Sequence, residues 1–188
     1  MNIQIKQTPN LLIPSRVNTD DAGYDIYATS EPKVVGVMWG GGLYHSIDYI
    51  EYDTGLFISP KPDITYGMPL LEQEIANYHI QIHPRSSISK YNLLLCNSVA
   101  IIDAGYLAEI KLRFKYIVQP EDITLSGNYL PSPIITTRVN LEKIYKIGDK
   151  CAQMLPVVTN DISWMVVDEL GSTARGTGGF GSTGGNSA

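Results

Sequence analysis

Apolar and polar side chains alternate with a period of two along much of the chain. In residues 110–118, apolar positions alternate with lysine and arginine, as in a strand with one buried face. Residues 78–83 repeat the pattern, with Ile80 and Ile82 on one face and a His-Gln-His series on the other. Both segments are therefore predicted to be half-buried β-strands.

Shorter runs between turn residues predict further strands. These strands are predicted at residues 2–6, 24–28, 33–37, 55–58, 93–96, 134–139, 151–158 and 163–167. Residues 69–76 and 86–91 suit a turn or two of helix, and no longer helical stripe is visible. With 11 prolines and 17 glycines in the chain, we expect an all-β fold of the jelly-roll, sandwich or barrel type.

The 188 residues suit one domain with a separate tail. Residues 36–48 contain three consecutive glycines and little periodicity, and residues 119–145 contain three prolines and room for an extra hairpin. Both regions are predicted to be loop insertions. In residues 171–188, seven residues are glycine and six are serine or threonine. We therefore expect a β-domain at 1–170 and a flexible glycine-rich C-terminal arm at 171–188.

Charge and cysteine content narrow the functional classes. A formal net charge of −5 argues against a protein that grips long nucleic acid, but it is compatible with binding a single nucleotide. No apolar run approaches the ~20 residues of a membrane span, and the N-terminus lacks a signal-peptide pattern. A cytoplasmic protein is expected. Cys96 and Cys151 form no CxxC motif, so buried, inert thiols are expected in place of a zinc site.

The glycine-rich stretch near the end of the chain offers groups that suit a nucleotide. Arg175 provides a planar fork for phosphate oxygens, and Phe180 provides a flat face for a base. Ser182 and Thr183 can donate to phosphate, and glycines such as Gly181 allow close backbone approach. A plain flexible linker has the same composition, so the tail by itself leaves both interpretations open.

Four upstream segments carry further candidate chemistry. They are DAGYD at 21–25, PRSS at 84–87, NSVAIIDAGY at 97–106 and GDKCAQ at 148–153. Together with the tail they follow the order found in trimeric dUTPases, and the chain resembles that family from the first segment to the arm. The resemblance implies a jelly-roll-like β-barrel that hydrolyses dUTP to dUMP and pyrophosphate with Mg²⁺. It also implies a homotrimer whose active sites lie between subunits and are closed by another subunit's arm.

The NSVAIIDAGY segment contains the candidate base. Asp103 follows an apolar run and is expected at the end of a buried strand, although aspartate is also common in turns. The resemblance implies that Asp103 orients the attacking water and that Tyr106 excludes a 2′-hydroxyl from the sugar site. It places Asn97 at the uracil edge, where an amide can both donate and accept. Backbone groups as far as Ile101 would complete base recognition.

The other segments suit the phosphates and the metal. The resemblance implies that Ser86 contacts phosphate, and an N-cap role for Ser86 is compatible with this. Ser87 stands where the family usually has glycine, and its N–H remains available. Arg85 can contact phosphate or a neighbouring carboxylate. By the same resemblance, Asp25 holds Mg²⁺ through water and Gln153 orients phosphate.

The resemblance also implies roles for the residues of the arm and indicates which alternative functions have to be considered. Arg175 would clamp the γ-phosphate, and Phe180 would cover the uracil ring. A dCTP deaminase, alone or bifunctional with dUTPase activity, shares the fold and needs a glutamate as its general acid/base. That glutamate aligns with Arg113, which cannot transfer a proton. Glu109 is the nearest acidic residue, but it is misplaced for this role. A non-catalytic regulatory protein on this scaffold stays open. Residues 119–145 resemble an extra segment of some phage dUTPases, so a viral origin would place the protein in the host cytoplasm or nucleus.

Overall fold

A computed structural model describes residues 3–59, 77–126, 134–174 and 176–177 of the chain. Within these ranges the protein forms strands and short 3₁₀ helices, without an α-helix. In chain order, the strands are β1 (Gln4–Ile5), β2 (Tyr24–Tyr27), β3 (Lys33–Gly40), β4 (Leu43–Asp53), β5 (Ile58–Ser59), β6 (Asn77–His83), β7 (Leu93–Leu95), β8 (Ala100–Ile102), β9 (Lys111–Tyr116), β10 (Ile123–Ser126), β11 (Ile134–Arg138) and β12 (Lys150–Thr159). The 3₁₀ helices span Ser86–Lys90, Pro120–Asp122 and Leu141–Lys143.

The strands form two large antiparallel sheets and one small one. The first sheet has the order β2-β12-β6-β8, and the second has the order β10-β11-β4-β9-β7, with β3 also paired to β4. Strands β1 and β5 pair separately. No helix in the described part of the chain is long and apolar enough to cross a membrane.

The two large sheets share one hydrophobic core. Ile26 and Ile82 enter it from the first sheet, and Tyr52 and Phe114 enter it from the second; all four are fully buried. The rings of Tyr52 and Phe114 meet edge to face with their centroids 5.8 Å apart. Each such side chain contributes roughly 1.5–3 kcal/mol through burial. The expected all-β, jelly-roll-like barrel is confirmed.

The period-two pattern is confirmed where it is clearest. In β9 the apolar residues Leu112, Phe114 and Tyr116 are buried, while the intervening basic residues are exposed. In β6, Ile80 and Ile82 are fully buried. Alternation predicts these strands because successive side chains of a strand point to opposite faces.

Residues 36–48 were predicted to be a loop insertion, and the prediction of a loop is wrong for their local structure. This segment forms most of the long β3–β4 hairpin. Register shifts between Val35 and Gly36, and again between Val37 and Met38, interrupt the pairing. Such bulges break the alternation of side chains, so the strand is hidden from a period-two search. By contrast, the extra hairpin considered for 119–145 is present as the β10–β11 pair.

The start of the 119–145 segment is anchored to the barrel by a buried carboxylate. Asp122 Oδ2 accepts a 2.7 Å hydrogen bond from the Tyr116 hydroxyl and a 2.8 Å bond from the Gln119 backbone N–H. The Tyr116 hydroxyl in turn accepts a 3.0 Å bond from Asn140 N. The added hairpin is therefore attached at both ends to strand β9.

Three smaller predictions are also corrected. Residues 163–167 form no strand; this apolar segment is exposed, with Val166 98% accessible, because it lacks a partner strand within the described chain. The strand expected at 55–58 is reduced to β5. Cys151 is buried as expected, but Cys96 is exposed. The helix expected at 69–76 lies outside the described residues.

Candidate functional site

Three neighbouring strands bring the predicted phosphate-binding residues together. Antiparallel pairing places Gln153 on β12 opposite Asp25 on β2 and opposite His83 on β6. Arg85 follows β6 by two residues. Asp25, Arg85 and Gln153, which lie at least 60 residues apart in the sequence, therefore converge at one end of the four-stranded sheet.

Asp25 is a buried carboxylate held by two cations. Its side chain is 12% accessible. Its Oδ1 lies 2.9 Å from Arg85 Nε, and its Oδ2 lies 2.8 Å from Lys150 Nζ. The bond to Asp25 raises the pKa of Lys150 above its ordinary value, so Lys150 stays protonated at neutral pH. The carboxylate thus orients two positive groups beside one another.

Asp25, Arg85 and Gln153 line one cavity of about 300 Å³. Gly23 also lines it, and a Cβ at Gly23 would lie 3.0 Å from Gln153 Oε1. Glycine here leaves room for the amide of Gln153. Arg16 adds a further cation to the lining. The cavity therefore combines cations, an amide and a carboxylate, the groups that suit a hydrated, charged ligand.

The PRSS segment leads into a short 3₁₀ helix and not into an α-helix. Ser86 begins the five-residue 3₁₀ helix, and Arg85 occupies the N-cap position. The N-cap role considered for Ser86 is therefore wrong. Ser86 is exposed and Ser87 is partly exposed, and neither lines the cavity that contains Asp25. Both hydroxyls lie one and two residues beyond Arg85, at the same end of the sheet.

Asn97, Ile101 and Tyr106 line a second cavity of about 570 Å³. Asn97 lies in the turn between β7 and β8, where Ser98 has a left-handed backbone (φ 59°). A non-glycine residue in this conformation costs about 1–3 kcal/mol, and such strain clusters at binding sites. Ile101 is 61% exposed within this chain. The basic outer face of β9 completes the wall, with Arg113 among its residues.

Asp103 lies in the turn after β8. The strand is present as expected, but it is not buried, and the side chain of Asp103 is exposed. Tyr106 N–H donates a 3.0 Å bond to Asp103 O, which closes the turn. Asp103 lines neither of the two cavities.

The two cavities share no lining residue. One chain therefore gathers the candidate phosphate residues in one place and the candidate base and sugar residues in another.

Lys150 and Glu109 contact the candidate residues Asp25 and Tyr106, and the sequence analysis gave neither of them a role in the proposed site. Lys150 lies within the GDKCAQ segment, but only the paired strands show that it reaches Asp25. Glu109 follows Tyr106 by three residues, and its backbone oxygen accepts a 3.0 Å bond from the Tyr106 hydroxyl. The sequence signal that could have identified Lys150 and Glu109 is their position within or next to the GDKCAQ and NSVAIIDAGY segments. The predicted arm residues Arg175, Phe180, Gly181, Ser182 and Thr183 lie outside the described residues.

The residues around Asp25 suit a Mg²⁺ ion that is coordinated mainly by water and by a bound phosphate ligand. Among the described residues, no group of three or more His, Cys, Asp or Glu side chains could enclose a metal ion. Mg²⁺ commonly keeps several waters and binds through one or two carboxylates and substrate phosphates. Among the described residues, each Asp25 oxygen is engaged by one cation, and a carboxylate offers about four acceptor sites. Asp25 therefore retains capacity for a metal-bound water.

Solved structures share this architecture. A dUTPase mutant of Staphylococcus bacteriophage 80alpha with dUpNHpp superposes with a TM-score of 0.64 at 22% identity, covering 97% of this chain and 98% of that chain. A mutant dUTPase from phage phi11 of S. aureus, described with a structural Mg(II) ion, gives 0.55 at 20% identity and covers 92% of this chain and 100% of that chain. These likenesses define the class of fold, a dUTPase-type β-barrel.

Sequence relatives define the family. The deoxyuridine 5′-triphosphate nucleotidohydrolase of Thermobifida fusca is 35% identical over 181 residues, which cover 96% of this chain and 76% of the relative. The enzyme of the same name from Picosynechococcus sp. is 30% identical over 96% of both chains. No protein-family model matches the chain. By this similarity, the chain belongs to the dUTPase family of enzymes.

Proposed function

We propose that this protein is a dUTP diphosphatase that converts dUTP and water to dUMP and pyrophosphate with Mg²⁺. The observation that carries the proposal is the convergence of Asp25, Arg85 and Gln153 on one charged cavity in a chain of this family. Relatives named deoxyuridine 5′-triphosphate nucleotidohydrolase and the structure of a phage dUTPase with dUpNHpp support the substrate. A cytoplasmic location is part of the same proposal.

The phosphate-binding residues act by positioning and by charge. Arg85 and Lys150 carry positive charge beside the carboxylate of Asp25. The Gln153 amide lines the cavity that also contains Asp25 and Arg85. Positive groups fixed in advance stabilise the charge that develops on phosphate oxygens. Bound Mg²⁺ would neutralise further triphosphate charge, with Asp25 accepting a hydrogen bond from one of its waters. Ser86 and the Ser87 N–H would donate to the phosphates.

Asp103 is proposed to orient the attacking water. Its carboxylate is exposed at the end of β8, so it is accessible to a ligand bound against that edge. Asn97 and backbone groups near Ile101 would read the uracil edge, and Tyr106 would exclude a ribose hydroxyl; these three residues line one cavity. The arm would supply the γ-phosphate clamp Arg175 and the uracil lid Phe180.

The active assembly is proposed to be a homotrimer with shared active sites. The two separate cavities support this arrangement, because neither contains the complete residue set. The exposed apolar segment that contains Trp164 and Val166 offers a surface for a neighbouring subunit. Burial of such side chains on assembly is worth about 25 cal/mol per Å².

The proposed reaction is tested by incubating the protein and Mg²⁺ with each nucleoside triphosphate. Pyrophosphate and ammonia are measured separately. Pyrophosphate from dUTP alone is expected; ammonia from dCTP would identify a deaminase, and no turnover would identify a regulatory protein. Asp103→Asn should lower turnover by ~10²–10⁴-fold with dUTP affinity retained. A loss of less than a few-fold would assign the water to another residue.

Shared sites are tested by subunit mixing. Arg85→Ala and Asp103→Asn subunits are each expected to be nearly inactive as homotrimers. If Arg85 and Asp103 act from different subunits, hybrid trimers contain some sites with both residues intact, and activity returns on mixing. Size-exclusion chromatography checks that hybrids form. Inactive hybrids would place both residues of each site in one subunit.

A further inference from the structure

The Tyr106 ring is oriented by one backbone oxygen. Its hydroxyl donates a 3.0 Å hydrogen bond to Glu109 O, three residues along the chain. Tyr106 is 43% exposed and lines the cavity that also contains Asn97 and Ile101. The hydrogen bond ties the hydroxyl end of the ring to Glu109 O and so sets the direction of the ring.

The position of Glu109 O depends on the Glu109 side chain. Its Oε1 accepts a 2.9 Å hydrogen bond from Gly55 N–H, and its Oε2 lies 3.3 Å from Lys111 Nζ. The Glu109 side chain is only 19% accessible. The next residue continues the attachment, because Ile110 N–H donates a 2.9 Å bond to Leu56 O. Glu109 is thereby fastened to the turn that follows β4.

That turn is itself held in place. Gly55 has a left-handed backbone (φ +65°), and a Cβ there would lie 3.0 Å from Asn10 O. The Thr8 hydroxyl donates a 3.1 Å bond to Gly55 O. Lys111 also forms an ion pair with Asp53, the last residue of β4. The Gly55 turn is therefore a fixed support for the carboxylate.

We propose that Glu109 is a positioning residue for sugar selectivity. Its carboxylate fixes the backbone oxygen that orients Tyr106, and so keeps the tyrosine ring where a 2′-hydroxyl would collide with it. Glu109 itself need not touch the nucleotide. This inference rests on the proposed function, in which Tyr106 distinguishes dUTP from UTP. The inferred role of Glu109 is in sugar selectivity and is separate from water activation and from phosphate binding.

The experiment compares kcat/KM for dUTP and for UTP in five variants. Tyr106→Ala tests the proposed filter itself. Glu109→Ala should lower the dUTP/UTP ratio about tenfold, the effect of roughly 1.4 kcal/mol. Glu109→Gln should retain most of the ratio, because its amide oxygen still accepts from Gly55 N–H. Tyr106→Phe, which removes only the hydroxyl, should lower the ratio like Glu109→Ala. Glu142→Ala removes an exposed glutamate–lysine pair and should leave the ratio unchanged.

A double variant separates positioning from general stability. If Glu109 acts through the Tyr106 hydroxyl, combining Glu109→Ala with Tyr106→Phe should lower the ratio no further than either single change. A Glu109→Ala protein that melts earlier but keeps the wild-type ratio would overturn the inference. If Glu109→Ala does not fold, an unchanged ratio in Tyr106→Phe would overturn it equally. An unchanged ratio in Tyr106→Ala would instead overturn the sugar-filter proposal.

Discussion

Arg85 and Asp25 form an ion pair in which the guanidinium Nε lies 2.9 Å from the carboxylate Oδ1. The other carboxylate oxygen bonds Lys150, so one buried group positions two cations. The bond raises the pKa of Lys150 above 10.5. A raised lysine pKa means that the pair stabilises the fold at neutral pH and that this contribution is lost as the pH rises above that value.

Asp25→Asn should therefore impair substrate binding more than folding. The amide keeps the shape but carries no charge, so Arg85 and Lys150 lose the counter-ion that orients them. We expect KM for dUTP to rise about tenfold and the dependence on Mg²⁺ to weaken. Steady-state kinetics over a Mg²⁺ titration is the measurement. Glu142→Gln, at an exposed ion pair, is the control and should change nothing measurable.

The two thiols should react differently. Burial raises the pKa of Cys151 to about 12, whereas Cys96 is exposed and lines the cavity with Asn97. A thiol reagent near pH 8 should modify one thiol per native chain and two after denaturation. dUpNHpp with Mg²⁺ should slow the native reaction. Two reactive thiols in the native protein would contradict the burial of Cys151.

The buried thiol of Cys151 should also affect the stability of the protein at alkaline pH. Because folding raises the pKa of Cys151 from 9.0, the neutral thiol favours the folded state below pH 9, and this contribution falls as the pH rises from about 9 to about 12. Cys151→Ala should reduce the loss of melting temperature across that range. Parallel melts of the wild type and Cys96→Ala provide the comparison. Equal slopes in all three proteins would rule out a contribution from Cys151.

Gly36 should be required for the β3–β4 hairpin. A Cβ at this position would lie 2.1 Å from Ser46 O, so the bulged backbone has to move. Overpacking of this kind typically costs about 1–3 kcal/mol, sometimes more. We expect Gly36→Ala to lower Tm by roughly 2–12 °C. Gly171→Ala, where no atom lies within 4 Å of the added Cβ, is the matched control. An unchanged Tm in Gly36→Ala, or an equal loss in Gly171→Ala, would refute this account.

Truncation after Gly171 should separate folding from activity. The buried core identified in the described chain ends at Met154, so the shortened protein should keep its Tm and its assembly. It should lose most dUTP hydrolysis, because the proposed contacts of Arg175 and Phe180 are removed. Activity, melting and size-exclusion chromatography test this. Full activity after truncation would make the arm a linker.

Mixing the truncated protein with Asp103→Asn subunits tests how the arm is shared. Partial recovery is expected if an intact arm closes over the Asp103 of another subunit. Failure of recovery, with hybrid trimers confirmed, would place the arm and Asp103 of each site in the same subunit.

Sequence patterns located the regular strands and failed at interruptions. In β9, strict alternation identified the buried face because every second residue enters the core. The start of β3 was predicted at 33–37, but the rest of the β3–β4 hairpin was missed because register shifts near Gly36 displace the side-chain pattern. Residues 163–167 have a strand-like composition but no partner strand in the described chain. Local composition thus indicates where a strand can form, and pairing decides whether it does.

The sequence by itself determined the β-class, the motif order and most candidate site residues, because these depend on residue type and spacing. Only the tertiary structure decided which residues meet. Pairing between β2, β12 and β6 brings Asp25, Gln153 and the start of the Arg85 segment together across more than 100 residues of sequence. The contacts of Lys150 with Asp25 and of Glu109 with Gly55 also depend on long-range pairing. No local periodicity encodes such contacts, since they arise from the packing of distant strands.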